Sequence, residues 1–243
     1  MLNLFLGYQA LIHIIGSKKN FKTAIYYLMA SVIMDGFDGT IARLTKTESN
    51  FGVQLDSLVD AITFGLVTSI LAYQWGFQSG YPQFGKIISF VYLSAGLIRL
   101  ARFNVFKEAQ AFPANIFIGM PIPTASMAIC SIVLVFNETH PQSPIGFILF
   151  SLCIILIALL MISNIKYKTI KKIVLKNSLK ALFILASLIA CLLIFPDITL
   201  PILTLTYTLS PFIFFLLSKK QKSLATASSE KTAEQPGSSK TGA

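Results

Sequence analysis

Eight apolar stretches recur along the chain, near 2–16, 22–45, 52–75, 86–106, 115–136, 144–164, 179–196 and 199–218. Most approach or exceed the roughly 20 residues a helix needs to cross hydrocarbon. Only 12% of the residues are charged, about half of what is usual in a soluble domain. A transmembrane barrel would instead show segments of about ten residues with alternating polarity, and none appear. The pattern therefore predicts an all-α, polytopic integral membrane helix bundle of about eight transmembrane helices over residues 1–218. The tail, 219–243, is rich in Ser, Thr, Ala and Lys and is expected to be disordered. The first stretch is short for a span and begins at Met1, as it would if the natural start lay further upstream.

The net charge of +10 raises nucleic-acid binding, but its distribution argues against that partner. Sixteen of the twenty basic residues, from Arg43 and Lys46 through Arg99, Arg102 and Lys166–Lys180 to the tail, fall on one set of connections. The alternate set carries only Lys18, Lys19, Lys22 and Lys86. Positive residues gather on the cytoplasmic side of membrane helices. Both termini are thus expected in the cytoplasm, in a cell inner membrane, with the 17–22 loop as an exception. Segment 164–180, which mixes lysines with apolar residues, reads equally as an interfacial stretch on the anionic leaflet or as a solvated loop. Cys130, Cys153 and Cys191 lie in apolar runs without CxxC spacing, as small buried hydrophobes would. Trp75 is expected to be an interfacial anchor. No cleavable signal is evident, because the first stretch lacks a basic leader and an obvious small-residue cleavage site.

Against this background stands a run of acids. The chain has ten acidic residues, and four of them are Asp35, Asp38, Asp56 and Asp60. An ionisable group near hydrocarbon costs several kcal/mol unless it is paired, hydrated or bound to metal. Asp35 and Asp38 are spaced i, i+3, and Asp56 and Asp60 are spaced i, i+4, so each pair shares one helical face. The short connection 44–51 makes the two helices antiparallel neighbours and brings the pairs to one depth. Oxygen-only ligands point to hard cations, Mg²⁺ or Mn²⁺. Two such ions shared among four carboxylates suit phosphoryl transfer, one at the attacking oxygen and one at the leaving oxygen. Gly36 and Gly39 lower helix propensity and are expected to interrupt the second helix at 35–39. Gly39, Ala42 and Gly52 either leave room for a flat or bulky group or merely allow close helix packing. Arg43 is suited to grip a phosphate in bidentate fashion.

The run Asp35-x2-Asp38-Gly39-x2-Ala42-Arg43-x8-Gly52-x3-Asp56-x3-Asp60 resembles the signature of the CDP-alcohol phosphotransferase family at every fixed position. That resemblance implies a membrane enzyme in which an alcohol displaces CMP from a CDP-linked substrate. It implies that Asp35, Asp38 and Asp56 ligate metal, and that Asp60 both touches metal and deprotonates the acceptor hydroxyl. Gly39, Ala42, Arg43 and Gly52 fall where the family holds the CDP moiety. A homodimer is also implied.

The acceptor is read from later segments. Gly96-Leu97-Ile98-Arg99-Leu100-Ala101-Arg102-Phe103-Asn104, Phe117-Ile118-Gly119-Met120-Pro121-Ile122-Pro123 and Met161-Ile162-Ser163-Asn164-Ile165-Lys166-Tyr167 resemble motifs of the serine-accepting branch. With the aspartate signature, the likeness covers roughly residues 2 to 170, and the last two helices fit that branch's eight-helix form, a six-helix catalytic core plus two. One departure is the lack of a Pro-Asn stretch before Asn3-Leu4-Phe5. The expected activity joins CDP-diacylglycerol and L-serine. Arg99 and Arg102, one turn apart, are candidates for the serine carboxylate, and Asn104 for orienting it or the ammonium. The alternative for the arginines is membrane-edge anchoring or contact with lipid phosphates. Pro121 and Pro123 are expected to shape or kink the fifth helix, and His13 and His140 lie away from every motif. Glycerol 3-phosphate or inositol phosphate as acceptor would demand a denser basic pocket. A divalent-cation transporter, the rival of another class, leaves Arg43 without a purpose.

Overall fold

The structure is a computed structural model that describes residues 1–45, 50–108, 116–136, 141, 143–168, 187, 190–192 and 194–211. For 38–45, 50, 107–108, 116–117, 166 and 168 it describes the backbone alone. The elements run α1 (Leu2–Ile15), α2 (Phe21–Thr45), α3 (Asn50–Asp60), a π-helical stretch (Ala61–Val67), α4 (Thr68–Gly76), α5 (Pro82–Glu108), β1 (Ile116–Ile118), α6 (Ile122–Val135), α7 (Pro144–Ile162) and β2 (Lys166–Lys168). Residues 196–211 are helical as well. The tail 219–243 and most of the expected seventh helix, 179–196, lie outside the described residues.

Three helices among the described residues are long and apolar enough to cross a membrane: Phe51–Gly76, Pro82–Phe106 and Pro144–Ile162. Their side chains sort as lipid requires. On α7, Phe150, Ile154, Ile157, Ala158 and Met161 face the core, while Leu149, Leu152, Leu156 and Leu159 are exposed. An exposed leucine stripe of that length would be an aggregation hazard in water, whereas in hydrocarbon it is the solvent-facing side. The chain is a multi-pass helical membrane protein.

α1 shows how spacing sets the packing. Asn3, Gly7, Ala10 and Ile14 recur at intervals of four, three and four and make its buried face. That face lies chiefly on α2 and on the π-helical stretch. A Cβ at Gly7 would come within 2.7 Å of Thr63 Oγ1, so only glycine lets the two helices meet there.

The long rod Asn50–Gly76 is not the uninterrupted α-helix that its pattern predicts. Seven residues after Asp60 widen into π geometry, and side-chain hydroxyls answer carbonyls along it. Tyr92 on α5 donates to the Phe64 carbonyl at 3.0 Å, and Ser69 donates to that of Leu66 at 2.7 Å. Conversely, α2 runs unbroken through Asp35–Gly39, where an interruption was expected. A helix keeps its own backbone bonded, and near hydrocarbon that outweighs the propensity cost of about 1 kcal/mol per glycine.

The expected fifth helix, 115–136, divides into strand β1 and helix α6, which starts only at Ile122. Pro121 and Pro123 stand at its start, where a missing N–H costs nothing, so they begin the helix and do not kink it. β1 pairs antiparallel with β2, Phe117 opposite Tyr167, so within the segment 164–180 the residues Lys166–Lys168 form a strand. The rest of 164–180 beyond Lys168 lies outside the described residues. Gly119, at φ +73, makes the turn out of β1, and a Cβ there would sit 2.2 Å from the Met161 carbonyl.

Three smaller expectations change. Trp75 is 4% exposed and stacks edge-on against Phe150 at 5.1 Å, so it is a core residue and not an anchor. Cys130 is buried, whereas Cys153 and Cys191 are exposed. Two of the exceptional lysines have partners: Lys19 bonds Gln74 and Gln78, and Lys22 pairs with Asp197 at 3.2 Å. They tie the start of α2 to α4 and to the helix at 196–211. His13 stacks on Tyr27 at 5.4 Å, away from the aspartates.

Candidate active site

Asp35 leaves α2 in its fourth turn, and Asp56 and Asp60 leave α3 one turn apart. Asp35 and Asp56 line one cavity of about 110 Å³, together with Met1, Asn3, Gly52, Leu55 and Val59. Asp60, half-buried, lies within electrostatic reach of Asp35, Asp56 and Arg99. Asp35 of the first spaced pair is thus brought to both members of the second, Asp56 and Asp60, among the described side chains. Asp38, Gly39, Ala42 and Arg43 follow Asp35 on the same helix, with side chains outside those described.

The carboxylate-bearing rod is clamped at three levels. Near Asp56 and Asp60, Asn104 of α5 exchanges hydrogen bonds with Ser57, 3.0 Å from Nδ2 to Oγ. One turn beyond Asp60, Tyr92 holds the Phe64 carbonyl. Further along, Thr68 Oγ1 meets Ser126 Oγ of α6 at 2.6 Å. Each bond lies between helices in a largely apolar setting, where a lost partner leaves a polar group unsatisfied. The rod's rotation, and so the aim of its carboxylates, is fixed by these contacts.

The three acceptor candidates separate. Arg99 is 5% exposed, stands 5.2 Å over the Phe103 ring and interacts with Asp60 across the site. Its Nε has no hydrogen-bond partner among the described residues. A buried guanidinium with a spare donor is a natural counterpart for an anion. Arg102 does something else. It donates to the carbonyls of Ile162 at 2.7 Å, Ser163 at 3.0 Å, Met161 at 3.3 Å and Ile118 at 3.5 Å, and to Asn164 Oδ1 at 3.2 Å. The bonds to Met161 and Ile162 absorb orphan carbonyls at the end of α7 and put a cation at the negative end of its dipole. Asn104 is occupied with Ser57. Of these three candidates, Arg99 is the one that interacts with a site carboxylate among the described residues.

Asn3 was missed at the level of sequence. It is 3% exposed and donates from Nδ2 to Asp60 Oδ1 at 3.5 Å. The signal was there: a carboxamide on the Gly7–Ala10–Ile14 face of an apolar helix is costly to bury without a polar partner.

Among the described residues, no three Asp, Glu, His or Cys side chains come close enough to hold one ion. The chemistry of the donor set nonetheless fits a hard divalent cation. The cavity is edged by carboxylates and an amide, with no thiol or imidazole among its lining residues. Carboxylates gathered beside apolar helices repel one another unless positive charge joins them. Arg99 supplies one such charge on the Asp60 side.

Comparison with known proteins gives this arrangement its relatives. A protein of Helicobacter pylori named CDP-diacylglycerol–serine O-phosphatidyltransferase is 41% identical over 186 residues, 75% of this chain and 74% of its own. Proteins of the same name from Bacillus subtilis and Methanocaldococcus jannaschii are each 34% identical. The first covers 63% of this chain and 78% of its own length, the second 69% and 70%. The model of the CDP-alcohol phosphatidyltransferase family matches residues 1–162, which carry all four aspartates, the Arg99–Asn104 segment and helices α1 to α7. The chain belongs to the CDP-alcohol phosphatidyltransferase family.

Proposed function

We propose that this protein makes phosphatidylserine, moving the phosphatidyl group of CDP-diacylglycerol to the hydroxyl of L-serine and releasing CMP. The observation that carries the reading is the meeting of Asp35, Asp56 and Asp60 with the buried Arg99 beside one cavity of a membrane bundle. The names of the relatives support serine as the acceptor.

Asp35, Asp38, Asp56 and Asp60 would hold the divalent metal on which the family generally relies, and we assign two ions, Mg²⁺ or Mn²⁺. When bound, the metal neutralises phosphate charge and stabilises the attacking and leaving oxygens. Gly39, Ala42 and Gly52 leave room for the cytidine, and Arg43 meets the diphosphate. Asp60 takes the proton of the serine hydroxyl, whose oxygen attacks the phosphorus bearing diacylglycerol. The bond from that phosphorus to the bridging oxygen breaks, and CMP carries the electron pair away. Arg99 holds the serine carboxylate, keeping the hydroxyl turned toward Asp60. Arg102 and Asn104 act through position, fixing the end of α7 and the rotation of α3.

The basic side of the bundle is the cytoplasmic face of the inner membrane, where serine is available, and the enzyme works as a homodimer. The test is CMP release by purified protein in nanodiscs with CDP-diacylglycerol, offering serine, glycerol 3-phosphate or inositol phosphate, each with Mg²⁺ and Mn²⁺. Serine-dependent release, abolished by chelator, is expected. Release with either phosphorylated acceptor and none with serine would overturn the assignment, and metal flux without lipid consumption would make the protein a transporter.

A further inference from the structure

Asn3 is anchored twice and still has an atom to spare. Its backbone carbonyl accepts from Ser31 Oγ at 3.2 Å, which seats α1 on α2 whatever the side chain. Its Nδ2 donates to Asp60 Oδ1, yet its Oδ1 is buried and has no hydrogen-bond partner among the described residues. The same residue lines the cavity with Asp35 and Asp56. Turning the amide over would not help: Oδ1 would then face the Asp60 carboxylate, and the orphan would become Nδ2. The orientation is therefore set by Asp60, and a buried acceptor is left to be satisfied from the cavity.

We propose that Asn3 is a specificity-determining residue, its Oδ1 receiving the ammonium of an amino-alcohol acceptor while its Nδ2 holds Asp60 toward that acceptor's hydroxyl. This deepens the serine reading and rests on it. The chemistry matches atom for atom. In serine the hydroxyl and the ammonium sit on adjacent carbons, and in the amide the donor and the acceptor share one carbon. A hydroxyl at Asp60 thus brings the neighbouring ammonium to Oδ1. A neutral carbonyl binds the ammonium without adding a further negative charge to the site. It also disfavours acceptors that present a phosphate at that point, since two acceptors cannot pair. With Arg99 across Asp60, the charged ends of the amino acid have separate partners.

The experiment uses the full chain in nanodiscs, comparing wild type, Asn3→Ala and Asn3→Asp. It reads KM for L-serine, KM for CDP-diacylglycerol, half-saturation by Mg²⁺, and inhibition by 3-hydroxypropanoate, which is serine without its ammonium. In Asn3→Ala the serine KM should rise about 10- to 100-fold, as for loss of a hydrogen bond to a charged group. The lipid KM should stay at its wild-type value, and inhibition by 3-hydroxypropanoate and metal half-saturation, which feel only the loosened Asp60, should shift much less than the serine KM. Asn3→Asp keeps an oxygen for the ammonium but sets a carboxylate against Asp60, so it should retain the preference for serine over 3-hydroxypropanoate and lose kcat. An unchanged serine KM in Asn3→Ala overturns the proposal, as does a shift in metal half-saturation in its place. If Asn3→Ala no longer binds CDP-diacylglycerol, the Asn3→Asp preference decides alone, and its loss overturns the proposal. A wild-type enzyme that ignores serine defeats the underlying function instead, and that result is read without any variant.

Discussion

Among single residues, Asp60 carries the heaviest demand. It ends α3, faces Asp35, Asp56 and Arg99, and touches the amide of Asn3. A general base contributes about 10²- to 10⁴-fold to turnover, and Asp60→Asn removes the base with little change of shape. The variant should lose at least about 10²-fold in kcat while still binding CDP-diacylglycerol, because the other carboxylates remain. Product formation from radiolabelled serine, alongside lipid binding by the same preparation, checks both halves. Wild-type turnover in Asp60→Asn would remove Asp60 from the mechanism. The neighbouring arginines show why residue type alone misleads. Arg99 and Arg102 sit one turn apart in the same motif, yet one is buried beside the carboxylates and the other is spent on four backbone carbonyls.

At the scale of elements, two contacts hold the site's walls, and each makes a prediction. The end of α7 has no capping glycine; the Ser163 N–H returns to the Leu159 carbonyl, the Met120 N–H and Ser163 Oγ donate to that of Leu160, and Arg102 collects those of Met161, Ile162 and Ser163. Hydrogen bonds to a charged group are worth roughly 1.5–3 kcal/mol. Arg102→Ala should therefore destabilise the bundle by about 2 kcal/mol, lowering the apparent melting temperature by roughly 4–8 °C. Serine KM in the surviving fold should change little, and a large KM effect with normal melting would return Arg102 to the acceptor site. The second contact is Gly7 on Thr63, where α1 meets the π-helical stretch. Gly7→Ala forces a methyl to within 2.7 Å of the Thr63 hydroxyl, so α1 must lift, and Asn3 moves away from Asp60 with it. Overpacking of that kind costs about 1–3 kcal/mol. Thr63→Ala removes the two closest atoms, so the double variant should regain much of the stability and activity lost by Gly7→Ala. Additive losses would mean that the contact is not the cause.

For the whole molecule, what was legible in the sequence depended on whether a local rule controlled it. Hydrophobic length announced the bundle, and helical spacing announced that Asp35, Asp56 and Asp60 would converge, because both are properties of one segment at a time. The π-helical turn after Asp60, the strand pair at Ile116–Ile118 and Lys166–Lys168, and the inward place of Trp75 depend on partners 28 to 75 residues away: Tyr92, the opposite strand, Phe150. No local periodicity encodes those. Asn3 belongs to the same class, since its meaning rests on a carboxylate 57 residues on. Orientation lies between the two. Sixteen of twenty basic residues fall on one side by the sequence count, and two of the four contrary lysines are held by side-chain partners, Lys19 by Gln74 and Gln78, and Lys22 by Asp197. An exposed ion pair of that kind contributes at most about 1 kcal/mol, too little to offset the positive residues gathered opposite. A fluorescent protein fused after residue 218 should therefore glow in a bacterial host, while alkaline phosphatase fused at the same point stays inactive. A membrane-impermeant amine reagent applied to intact spheroplasts should label Lys18, on the opposite face, and spare the tail lysines. Active phosphatase at the tail would invert the bundle, putting the carboxylate cavity on the side away from cytoplasmic serine.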